Sequence, residues 1–183
     1  MPLKTLLRRW EWLTLFAIGA FAILYFLDST LKNATGYGTV DLQSAQSGAD
    51  FKRIFFAWIV QKHAAIAGFS LGFDYLFMPL YGLSFFYSAI IAREAFAQKK
   101  GVARRLMNYL ALVPLVGALC DAAENALEFS MLVNGATDEM AALAYRATNA
   151  KMICFYVGLL LLAAALAGFF KLRAPKKEDA IAN

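Results

Sequence analysis

The sequence predicts an all-α integral membrane protein, a four-helix bundle with a short interfacial helix on its outer side. Hydrophobic residues make up 61% of the 183, mean hydropathy is +0.54, and charged residues reach only 17%, against about a quarter in a soluble domain. The apolar residues fall in four runs, each long enough to cross a bilayer core that needs about 20 helical residues. The basic residues sit mainly at alternate ends of those runs. Together the four spans use nearly the whole chain, so residues 1–183 read as one transmembrane domain.

The first run, about 12–28, follows Lys4, Arg8 and Arg9. Ala20 and Ala22 lie inside it and Asp28-Ser29-Thr30 follows, so it lacks the small-residue cleavage site of a secretory signal and reads as a retained anchor helix. Trp10 and Trp12 are expected at the membrane interface. The remaining spans run about 64–92, 107–133 and 145–170. Pro79 and Pro114 mark local kinks.

Of the 18 basic residues, twelve fall on one side: Lys4, Arg8, Arg9, Arg93, Lys99, Lys100, Arg104, Arg105, Lys171, Arg173, Lys176 and Lys177. The positive-inside rule therefore places both termini and the loop between spans two and three in the cytoplasm, of the plasma (inner) membrane if the cell is bacterial. The net charge of +5 is accounted for by topology and by attraction to anionic headgroups, which leaves membrane lipids as partners and no nucleic acid. The tail 174–183 ends in polar and acidic residues and reads as disordered.

Lys32 to Gly48 is rich in Gly, Ser, Thr and Asn and reads as loop. Residues 50–62 differ: Phe51, Ile54, Phe55, Trp58 and Ile59 recur at helical spacing, as in a helix lying along the interface. Ala64, Gly68 and Gly72 form a row of small residues on span two, suited to close helix approach within the monomer or in a homo-oligomer. Cys120 and Cys154 fall inside spans and act as small hydrophobes.

The chemistry-bearing residues are the ionisable groups within the spans, because a charge at mid-bilayer is costly unless paired or hydrated. On span three, Asp121, Glu124 and Glu128 are spaced i, i+3 and i+7, which keeps them within about 60° on one helical face. Asn125 lies beside them. Span two adds Asp74, with Tyr81 seven residues later on the same face, and span four adds Lys151. Lys151, Arg146, Asp28 and His63 fall near the outer ends, as does Asn149, and the first four also read simply as interface residues able to snorkel to the headgroups.

Such a cluster has two chemical uses. A protonated and an ionised carboxyl form an acid/base pair, for which Asp74, Asp121 and Glu124 are the catalytic candidates. Alternatively the carboxyls supply oxygen ligands to a cation, with His63 adding nitrogen for a transition metal. Glu128, Asn125, Tyr81, Lys151 and His63 are the ligand-binding candidates. The sequence names no cofactor and carries no HExxH, GxSxG, P-loop or CxxCH motif. A lone histidine excludes bis-histidine haem within one chain. The best reading is a pocket that binds, or does acid/base chemistry on, an amphipathic lipid-like molecule. The alternatives are an oligomeric ion- or proton-coupled transporter and a non-catalytic assembly subunit.

Overall fold

A computed structural model describes residues 2–97 and 101–173. The proposed disordered tail 174–183, and Lys99, Lys100, Lys176 and Lys177 of the topology argument, lie outside the described residues. The described chain is seven helices with no strand: α1 (Leu3–Thr35), α2 (Thr39–Gln43), α3 (Gly48–Val60), α4 (Ala64–Phe96), α5 (Val102–Leu110), α6 (Val113–Asn134) and α7 (Asp138–Arg173).

Four helical stretches are long and apolar enough to cross a membrane: α1, α4, the α5–α6 stretch and α7. At 1.5 Å per residue, the 33 residues of α1 extend about 50 Å, well beyond a hydrocarbon core of about 30 Å. The helices therefore start and end outside the apolar runs that betray them.

The break between α5 and α6 has a covalent cause. Pro114 has no N–H to donate to the carbonyl of Leu110, four residues back, and Leu110 is where α5 ends. Pro114 then sits in the first turn of α6, where its missing donor costs nothing. The third stretch is thus broken in two, with α5 a short amphipathic helix at the end of the bundle where α1 begins and α7 ends. There Glu94 receives Arg104 and Arg93, each at 2.7 Å.

In the core of the bundle, α4 touches α1, α6 and α7, and α7 also packs along α6. Glycines set the closest approaches: a Cβ on Gly117 would stand 2.6 Å from Cys154 Cβ, one on Gly168 2.8 Å from Ala95 Cβ, and one on Gly158 would overlap the Phe85 ring. At the end carrying the termini, α1 joins the bundle through Leu6, Leu7 and Trp10 against Ile91 and Ala165. Arg173 reaches Glu11 there at 2.6 Å.

Trp10 corrects an expectation. It is buried, 4% exposed, and donates to Ser88 Oγ at 2.8 Å, so only Trp12 stands outward. The helix expected over 50–62 is α3, and it covers the far end of the bundle by burying Phe51, Ile54 and Trp58 while Phe56, Ile59 and Val60 stay exposed. The Lys32–Gly48 segment is only partly loop, since it contains α2.

Candidate functional site

The acidic face of α6 points inward. Asp121, Glu124, Asn125 and Glu128 are all buried, which the i, i+3, i+4, i+7 spacing requires of residues on one face. Opposite them, α7 delivers Lys151, 8% exposed. Its ammonium donates to Asp121 Oδ1 at 2.9 Å and to Glu124 Oε1 at 2.9 Å, and Glu124 Oε2 lies 2.8 Å away without donor alignment. Lys151 is therefore no interface residue. Its ammonium stands among the carboxyls where the sequence left room for a metal, and among the described residues no group of three or more His, Cys, Asp or Glu side chains is arranged to hold a metal ion.

From α4, Tyr81 donates to Asp121 Oδ2 at 3.1 Å. Asp74 Oδ2 accepts from Asn125 Nδ2 at 2.9 Å, an amide that also reaches the Leu71 carbonyl at 3.4 Å. The helices α4, α6 and α7 are thus tied through one polar network. It is rich in acceptors: both Glu128 oxygens and Asn125 Oδ1 are buried without a hydrogen-bond partner among the described residues. Four carboxyls, Asp74, Asp121, Glu124 and Glu128, face a single ammonium. Full ionisation would leave the cluster strongly negative in a medium that penalises net charge, so protons or a bound cationic group must complete it.

Beside the network is a cavity of about 440 Å³, reached by Asp74, Tyr81, Asp121 and Lys151. Its walls are mainly apolar and aromatic: Phe21, Leu24 and Tyr25 on α1, Leu71 and Phe77 on α4, Met152, Phe155 and Tyr156 on α7. It occupies the gap between α1 and α7, which meet at the end bearing the termini and leave the cavity between them nearer the far end. Tyr25 and Tyr156 on its α1 and α7 walls are 66% and 59% exposed.

Helix α2 roofs this gap. Thr39 and Val40 line the cavity and are held by Asp28 Oδ1, which accepts from Thr39 Oγ1 at 2.8 Å and Val40 N at 3.2 Å. On the other flank Thr148 Oγ1 donates to the Gln43 carbonyl at 3.3 Å. Gly38 at the start of α2 lets the Asp28 carboxylate approach closely, and a Cβ there would have to displace it from Thr39 and Val40.

Several sequence candidates lie elsewhere. His63 precedes α4 and pairs with the Gln61 carbonyl at 2.6 Å, outside the cavity lining. Asn149 bonds within its own helix to Tyr145 and, like Arg146, is exposed. Gly68 and Gly72 are exposed with nothing within 4 Å of a Cβ at either position, so the small-residue row takes no part in packing within the monomer. Sequence reasoning missed Phe77 and Phe155. Each lies one helical turn from a named polar residue, Asp74 and Lys151, and that spacing was the available signal. No family model matches the chain, and no curated protein or solved structure is similar to it.

Proposed function

We propose that this protein binds an amphipathic, lipid-like molecule in the cavity between α1 and α7, its chain against the aromatic walls and its polar head at the Asp74–Asp121–Lys151 network. The observation that carries this reading is the cavity itself. It is of a size that takes a small ligand, its walls are mainly apolar, it lies between two helices of spanning length, and its polar groups fall in two places, the Asp74–Asp121–Lys151 network inside and Asp28 with Thr39 at the roof. A molecule already in the bilayer reaches such a site without crossing water. The basic residues support an orientation with both termini cytoplasmic, which places α2 and the cavity roof on the outer side.

Native mass spectrometry of the protein released from mild detergent tests the reading. The expected result is a single retained amphiphile on the wild type that is absent from Leu71→Trp, a substitution that fills the cavity. Retention of the same adduct by the filled variant, or bare wild-type protein throughout lipid titration, overturns it.

A further inference from the structure

Resting on the lipid reading, we propose that the head of the cavity's ligand is an ammonium group, so that the site selects cationic amphiphiles. Lys151 does not contradict this, because its charge is already answered by Asp121 and Glu124 at 2.9 and 2.8 Å. Asp74 has no such partner. It accepts one hydrogen bond, on Oδ2 from the neutral Asn125 amide, and its other oxygen takes none among the described residues. The cavity is thus offered a carboxyl with acceptor capacity to spare, and an ammonium supplies both the charge and the N–H donors that would complete it in its ionised form.

The rings argue the same way. Phe77 and Tyr81 have centroids 4.9 Å apart, and Tyr81 and Phe155 5.5 Å, so three aromatic faces and edges gather at the depth of the carboxylates. A cation within about 6 Å of such a ring is attracted by its quadrupole, more strongly where water is excluded. An anionic head would instead meet Asp74 inside and Asp28 at the roof, and an alcohol would leave the excess negative charge in place.

The test compares three probes of equal chain length, dodecylamine, dodecanol and dodecanoate, titrated into the full-length protein in maltoside micelles and read by native mass spectrometry against uptake by empty micelles. Dodecylamine is expected to bind at one equivalent and at least tenfold tighter than the other two. Asp74→Asn should remove that preference, weakening dodecylamine at least tenfold more than it weakens dodecanol. Phe155→Leu tests the rings independently and should weaken a trimethylammonium analogue of the amine more than it weakens dodecanol. If dodecanol or dodecanoate binds as tightly as the amine and is still excluded by Leu71→Trp, head selectivity is overturned and the lipid site stands. If none of the three binds, the lipid reading falls and this inference with it.

Discussion

Lys151 Nζ stands 2.9 Å from Asp121 Oδ1, joining α7 to α6 within two helices of the membrane-spanning bundle. Each residue alone would be among the most disfavoured groups a bilayer can hold. Together they fix the register of the two helices and turn both toward the bundle interior.

Removing the ammonium therefore has a large effect. Lys151→Met should destabilise the protein by roughly 3–5 kcal/mol, because it strands buried carboxylates without a counter-charge. Adding Glu124→Gln to Lys151→Met should recover part of that loss. Thermal melting in detergent measures both, and additive losses would show that the two residues do not share one electrostatic site.

Two glycines should respond in opposite ways. Gly158→Leu drives a side chain into the Phe85 ring and should cost about 1–3 kcal/mol by overpacking. Gly68→Leu enters open space and should leave melting of the monomer within about 0.5 kcal/mol. If the Ala64, Gly68, Gly72 row instead mediates self-association, Gly68→Leu will shift the oligomer distribution in cross-linking without moving the monomer's melting curve.

Asp74 and Asp121 reach the same cavity through different partners, Asn125 for one and Lys151 with Tyr81 for the other. In a double-mutant cycle of Asp74→Asn and Asp121→Asn, ligand binding should show a coupling of at least about 0.5 kcal/mol, as for groups in one network. Strictly additive losses would mean that the two carboxylates serve separate purposes.

Topology is checked by thiol labelling in a background with Cys120 and Cys154 replaced by alanine. Cysteines at Gln46 and Glu139, both exposed and at the far end of the bundle, should label from outside the cell. A cysteine at Val102, exposed beside α5, should label only after permeabilisation. The reverse pattern would invert the orientation.

The four spans were legible because hydropathy and length settle which segments a membrane accepts. The inward turn of Asp121, Glu124 and Glu128 followed from helical spacing alone. What stayed hidden depends on pairings between helices. Nothing in the neighbourhood of Lys151 tells whether its long side chain snorkels outward or reaches across to α6. The fate of Trp10 turned on Ser88, 78 residues away. The roof helix was masked by composition: Thr39–Gln43 is five residues in a stretch rich in turn formers, too short to show periodicity and stabilised by distant contacts with Asp28 and Thr148.

The glycines at 117, 158 and 168 have a mechanical consequence. They bring α7 into close contact with α4 and α6, so these three helices form one tightly packed unit. Across the gap, α1 packs on α4 alone over most of its length, from Trp10 through Ala17 and Ala20 to Leu24, and meets α7 at the Trp10 end. Asp28, on that same helix, holds the roof through Thr39 and Val40, so one helix supplies both a wall of the cavity and the tie that keeps its ceiling in place.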